Sequence, residues 1–270
     1  MIKNPRNPII TPKDVVPSHE QLVVKGALNP GAVRMDDEII LLLRVAEGCK
    51  KQPGKVTVPV YRFGDNGGEL EILKWEAGDP KLSNRDNRSV IYDGDLYVST
   101  LSHLRIARST NGVDFTVDDR PFLLPRNRSE EFGIEDARIT RIEDDFYISY
   151  TAVSRDSYGT SLVRTRDFVE TEYLGMIFPV PNKDVCIFPE PIGGRYFALH
   201  RPHNHDFGKS AIWIGESRDL LHWGNHRCLI RPRGKWESEK IGGGAPPLKT
   251  ERGWLEIYHG KTLRAGNDFY

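Results

Sequence analysis

An all-β fold, arranged as a five-bladed β-propeller, is predicted by three observations on this 270-residue chain. No segment longer than a turn or two repeats its apolar residues with a 3.6-residue period, so no helix of ordinary length is expected. Short aliphatic or aromatic strands recur at Ile39 to Leu43, Leu96 to Thr100, Phe146 to Tyr150, Tyr196 to His200 and Trp254 to Tyr258. Their spacing of roughly fifty residues is near the length of a propeller blade. Eighteen prolines and 25 glycines are spread through the chain, which breaks it into the short elements such blades use.

Each of these strands follows a hairpin-type turn: Met35-Asp36-Asp37-Glu38, Tyr92-Asp93-Gly94-Asp95, Glu143-Asp144-Asp145, Ile192-Gly193-Gly194-Arg195 and Thr250-Glu251-Arg252-Gly253. Asp and Gly tolerate the positive φ that tight hairpins demand. A second motif comes later in the unit, as Arg105 to Phe115, Ser161 to Phe168 and Ile212 to Trp223. Each copy alternates with period two and ends in an Asp-containing turn followed by an aromatic plug. By the same repeat arithmetic the fifth unit stops soon after its first strand. The last blade is therefore expected to be incomplete, or the ring to be closed partly by an N-terminal strand.

Composition narrows the function. Thirty-eight basic residues balance 38 acidic ones, so the field that would gather nucleic acid or an anionic membrane is absent. Cys49, Cys186 and Cys228 are odd in number, far apart and without a CxxC pair, which argues against a disulfide framework or a zinc site. The start lacks an apolar leader, and the longest apolar run, Ile39 to Leu43, is too short to span a bilayer. A soluble, cytoplasmic location is the expectation.

A polar motif is delivered repeatedly to the mouth of an equivalent strand. Glu135, Asp136 and Arg138 precede Phe146, Asp86 and Arg88 precede Leu96, and Asn29 precedes Ile39; the acid or amide stands ten residues ahead each time. A single copy is as often a turn cap or a structural ion pair as a functional group. Convergence changes that balance. In a propeller Asn29, Asp86, Arg88, Asp136, Arg138 and Glu190 would gather at one mouth, and so many charges are costly to desolvate without a polar ligand or mutual pairing.

Six ordered motifs between Asn29 and Gly260 resemble glycoside hydrolase family 130. They are Asn29-Pro30-Gly31-Ala32, Gly133 to Thr140, Phe188-Pro189-Glu190, Leu199-His200-Arg201-Pro202, Lys240 to Pro247 and Tyr258-His259-Gly260. The resemblance implies an inverting β-mannoside phosphorylase on a five-bladed propeller. It uses inorganic phosphate as co-substrate, a β-1,2- or β-1,4-mannooligosaccharide as substrate, and no metal or organic cofactor. It makes Asp136, in the Glu-Asp-x-Arg motif, the general acid, acting through the mannose 3-hydroxyl. Glu135 and Arg138 would tune or orient it. Arg201, Lys240 and His259 fall on the phosphate site, with Lys183 beside them. Asn29, Arg44, Asp86, Arg88, Glu190 and Tyr258, together with Glu135 and Arg138, are assigned to substrate binding.

One departure from the family is visible. Where phosphorylases often carry Arg-Asn, this chain has Lys183-Asp184, and a carboxylate there should weaken phosphate binding unless it points away or pairs with Lys183. Arg155 is a further candidate cation. Lone cations near turns are more often solvated, and Tyr61, Trp75, Tyr158, Trp213 and Trp236 are more often blade core than sugar platforms. Gly242-Gly243-Gly244 reads as permissive backbone rather than a nucleotide loop, since no strand-to-helix transition follows. The rivals are a hydrolase with a base such as Glu190 and a non-catalytic glycan-binding propeller. Self-association stays open.

Overall fold

Strands account for nearly all the regular structure, and the only helical elements among the described residues are three-residue 3₁₀ turns at Pro12–Asp14, Arg128–Glu130 and Lys235–Glu237. The computed structural model describes the backbone of residues 5–65, 67–86, 88–203, 207–264 and 267–269, and the side chains of all of these except 84–86, 263–264 and 267–269. No helix among them is long and apolar enough to cross a membrane.

In chain order the strands are β1 (Leu22–Met35), β2 (Glu38–Cys49), β3 (Lys55–Gly64), β4 (Gly67–Glu76), β5 (Leu82–Asp86), β6 (Ser89–Tyr92), β7 (Asp95–Val98), β8 (Leu101–Ser109) and β9 (Thr116–Val117). There follow β10 (Ile134–Ile142), β11 (Asp145–Ser154), β12 (Ser157–Thr165), β13 (Glu172–Phe178), β14 (Asn182–Ile187), β15 (Tyr196–Pro202), β16 (Ile212–Ser217) and β17 (Trp223–Ile230). The last are β18 (Lys240–Gly243), β19 (Leu248–Thr250), β20 (Gly253–Leu255), β21 (Tyr258–Arg264) and β22 (Asn267–Phe269). They form four-stranded sheets β1-β2-β8-β9, β10-β11-β12-β13 and β14-β15-β16-β17, a three-stranded sheet β18-β21-β22, and smaller sheets β3-β4, β5-β6-β7 and β19-β20. A four-stranded antiparallel meander is the blade unit of β-propellers.

Two compact units divide the chain, Met1–Ala137 with Ala152–Asp156 and Arg138–Thr151 with Ser157–Tyr270. In the first unit, Val58, Val60, Val90, Tyr97 and Phe132 form one buried cluster, and Val15, Leu43, Val45 and Ala107 another. The segment ahead of β1 is fastened to this unit by buried polar groups. Glu47 accepts a hydrogen bond from the Ser18 amide at 2.7 Å and faces His103 Nε2 at 3.3 Å, while Arg105 Nη1 donates to the Val16 carbonyl at 2.6 Å. Burial of the Glu47 carboxylate is offset by its Ser18 and His103 partners. In the second unit, Ile142, Leu162, Phe178, Val185, Ile187 and Ala198 form one cluster, and Cys186, Phe188, Leu199, Ile212 and Ile241 another.

All five predicted turns form. Asp36, Asp93 and Glu143 have φ of 51°, 53° and 55°, and Gly193 and Gly194 both lie in the left-handed region. The later motif is a capping device repeated three times. Ser109, Thr165 and Ser217 accept at their hydroxyls from amides two and three residues on. Asn111, Asp167 and Asp219 then accept the next two amides. These side chains replace the ladder partners lost where each third strand stops.

The repeat alignment needs two corrections. Trp254 to Tyr258 is not one strand: β20 ends at Leu255, β21 begins at Tyr258, and β21 is the strand that pairs with β18. The other lies earlier in the chain. Leu96 to Thr100 is not the counterpart of the second strand of a four-stranded sheet. β7 pairs with β6 in a small sheet, and β2 pairs directly with β8 across an insertion that carries β3 to β7. The third-strand motif at Arg105 therefore belongs to the first sheet, not to a second unit. Sequence periodicity misplaced it because the inserted segment is itself about one blade long.

Candidate active site

Within the first unit, two carboxylates share one guanidinium. Arg44, on β2, donates from Nη2 to Glu135 Oε1 at 2.7 Å, from Nη1 to Asp136 Oδ1 at 3.2 Å and from Nε to Ser102 Oγ at 3.2 Å. Asn29 Nδ2 donates to the same Asp136 oxygen at 3.0 Å. Local sequence explains the placement. A register shift between Leu28 and Gly31 lifts Asn29 out of the β1 ladder, and its φ of 40° is one that Asn accepts more readily than most residues. Gly133 bridges Ser102 with φ 110°, and a Cβ there would lie 2.6 Å from the Ser102 amide nitrogen. Only glycine allows both the conformation and the approach that carry Glu135 and Asp136 up to Arg44.

Within the second unit, cations converge on a buried acid. Asp184, 5% exposed, accepts from Arg138 Nη2 at Oδ1, 2.9 Å, and from Arg201 Nε at Oδ2, 2.7 Å; His259 Nε2 lies 3.6 Å from Oδ2. Arg138 also donates to the carbonyls of Gly243 at 3.1 Å and Gly244 at 3.3 Å. The strand registers produce this meeting: Lys183 stands opposite Arg201, and Gly242 opposite His259. Burial alone would raise the Asp184 carboxyl, but Arg138, Arg201 and His259 beside it bring it down to about 2. His259 is held below its usual range by burial, only partly offset by Asp184, with Arg201, Arg138 and Lys240 adding to the depression. Near pH 7 the positive charges of Arg138, Arg201 and Lys240 therefore outnumber the negative charge of Asp184.

Other predicted residues lie elsewhere. Arg138 reaches the Asp184 cluster, and Arg44 supplies a guanidinium bonded to Asp136. Asp184 neither points away nor relies on Lys183, whose Nζ sits 4.5 Å over the ring of Tyr158. Glu190 is bonded to Lys249 at a half-exposed site, and Arg155 to Glu131 at 2.7 Å in the first unit. Tyr258 donates to Glu237 at 2.9 Å and packs on Trp236. Arg88 is exposed in the turn before β6, and the Asp86 side chain lies outside the described residues.

The position that repeats is a left-handed polar residue in the first strand of a sheet. Asn29 in β1, Asp136 in β10 and Asp184 in β14 have φ of 40°, 52° and 56°. Asp184, not Glu190, is thus the third member of the series.

Comparison with known proteins gives these clusters a context. Residues 88–269 match the family described as beta-1,4-mannooligosaccharide phosphorylase, which is more than half of the chain. A beta-1,2-mannobiose phosphorylase of Listeria innocua is 46% identical over 263 residues, covering 95% of this chain and 73% of that protein. The chain belongs to glycoside hydrolase family 130. The solved structure of the beta-1,2-mannobiose phosphorylase from Listeria innocua in complex with beta-1,2-mannobiose matches with a TM-score of 0.89 at 45% identity, over 95% of this chain and 74% of that one. A 1,2-beta-oligomannan phosphorylase of Thermoanaerobacter sp. is 36% identical over 60% of this chain and 54% of its own length.

In this family 130 chain the glycine run is required by space rather than by φ. A Cβ on Gly242 would lie 2.2 Å from Asp184 Oδ2, 2.8 Å from His259 Cε1 and 2.9 Å from Arg201 Nε. A Cβ on Gly243 would meet Cys186 Sγ at 2.8 Å and Glu256 Oε1 at 3.2 Å. Sequence reasoning missed Glu256, which stands in no motif. Burial raises its carboxyl to about 7, the nearby Arg138 lowering it only in part. Because the folded-state value lies above the ordinary 4.5, this group stabilises the fold below about pH 4.5, and that contribution is lost as pH rises through about 7. Glu256→Gln should therefore flatten the fall in thermal midpoint between pH 5 and pH 8 relative to the parent chain. Equal slopes in the two proteins would exclude this role.

Proposed function

We propose that this chain is an inverting phosphorylase that cleaves β-mannosides, β-1,2-linked mannobiose or mannooligosaccharide foremost, to α-mannose 1-phosphate and a shortened acceptor. The observation that carries the reading is the cluster of Arg138, Arg201, Lys240 and His259, whose positive charge exceeds the negative charge of Asp184. A hydrolase has no use for such an anion site. The β-1,2 preference rests on the linkage named for the Listeria innocua and Thermoanaerobacter relatives.

Roles follow from the chemistry. A phosphate oxygen forms its bond to the anomeric carbon on the face opposite the leaving oxygen, whose bond to that carbon breaks. The departing oxygen takes a proton supplied by Asp136, relayed by the mannose 3-hydroxyl as the family resemblance implies. Phosphate arrives as an anion, so a second carboxylate to activate water is not needed. Arg44 and Asn29 would hold Asp136 in place, and Arg201, Lys240 and His259 would receive phosphate through charge-assisted bonds. Incubation with β-1,2- and β-1,4-mannobiose, each with and without phosphate, tests the reading: mannose 1-phosphate should form fastest from the β-1,2 disaccharide, and only with phosphate. Faster cleavage of the β-1,4 disaccharide would overturn the linkage preference alone.

A further inference from the structure

We infer that Asp184 is a positioning residue for the co-substrate: a resident carboxylate that aims Arg201 at inorganic phosphate by tying it, through Arg138, to the glycine-run backbone. This rests on the phosphorylase reading above. Taken alone, a carboxylate among phosphate-binding cations should repel the ligand. The hydrogen bonds say otherwise.

Asp184 gives one oxygen to each guanidinium, Oδ1 to Arg138 and Oδ2 to Arg201. Arg138 is held on one side, since Nε and Nη2 also reach the Gly244 and Gly243 carbonyls. It is thus a peg that fixes Asp184 to β18. Arg201 is bonded differently. Its Nε donates to Asp184, and its two Nη groups make no hydrogen bond among the described residues. A guanidinium held by Nε keeps its Nη pair parallel and uncommitted, the arrangement that binds two phosphate oxygens at once.

The surroundings remove other freedom from Arg201. Its backbone pairs with Lys183, it is 5% exposed, and Gly242 leaves no room beside Nε for anything larger than hydrogen. Next to it in sequence, His200 packs on Phe178, and burial together with His226 pushes its imidazole down to about 3, so it stays neutral and adds no competing charge. Asp184 remains ionised at any working pH, so the lock does not depend on protonation.

Two variants separate aiming from net charge. Asp184→Asn makes the cluster more positive but replaces one acceptor oxygen by a donor that opposes a guanidinium. Arg138→Lys leaves net charge unchanged and removes the planar fork. Both should raise the KM for phosphate at least tenfold, with the KM for β-1,2-mannobiose changed less than threefold. A phosphate KM that stays the same or falls in Asp184→Asn would overturn the inference, because repulsion would then be the dominant effect of the carboxylate. If that variant does not fold, an unchanged phosphate KM in Arg138→Lys is the overturning result. Turnover of the parent chain without phosphate would instead sink the phosphorylase reading itself, before either variant is compared.

Discussion

Replacing Asp136 with asparagine should lower the rate of mannoside phosphorolysis by about 10²–10⁴, the range spanned by loss of a general acid. That is about 3–5 kcal/mol of barrier. The substitution is close to isosteric, and the amide oxygen can still accept from Asn29 and Arg44 as Oδ1 does now. Fold and sugar binding should therefore survive while proton supply is lost. The check is a kcat measurement beside a thermal midpoint and a dissociation constant for β-1,2-mannobiose. A variant with unaltered kcat would remove Asp136 from the chemistry. A fall in kcat with an equal fall in stability would make it a structural residue.

A methyl group on Gly242 should be nearly as damaging, by a different route. The Cβ would overlap Asp184 Oδ2, His259 Cε1 and Arg201 Nε, each inside 3.0 Å. Two of the three cannot yield cheaply: Asp184 is held by two guanidiniums, and Arg201 and Asp184 are each 5% exposed. Relief must come from moving β18 away from β14 and β15. Overpacking of this kind costs about 1–3 kcal/mol, and it separates Arg201 from His259. Gly242→Ala should raise the phosphate KM more than tenfold and lower the denaturant midpoint. The backbone at Gly242 is not left-handed, so alanine faces no conformational penalty and the effect is one of space. Wild-type phosphate KM in this variant would show that the cluster does not receive phosphate.

Much of the fold was legible because it depends on local chemistry. Asp93-Gly94 and Gly193-Gly194 demand hairpins wherever they occur, and Thr165-Arg166-Asp167 caps a strand end by itself. The insertion of β3 to β7 was not legible, because nothing in the sequence distinguishes a blade from a blade-length insertion between two strands that pair. Within the site, the acid pair at Glu135 and Asp136 and the cations at Arg201, Lys240 and His259 stood in motifs. Their partners did not. Arg44 meets Asp136 across 92 residues, and Arg138 turns to Asp184 across 46. Such pairings are set by register and by left-handed residues at Asn29, Asp136 and Asp184, which local patterns do not encode. Glu190 shows the converse: it has the family's motif, yet its carboxylate is bonded to Lys249 at the surface.

The most direct test of phosphorolysis by inversion is nuclear magnetic resonance of the first products formed from β-1,2-mannobiose in phosphate buffer. The α-anomer of mannose 1-phosphate should appear in equal amount with free mannose, and neither should form once phosphate is withdrawn. Free mannose released at the same rate without phosphate, or a β-configured mannose 1-phosphate, would contradict the account.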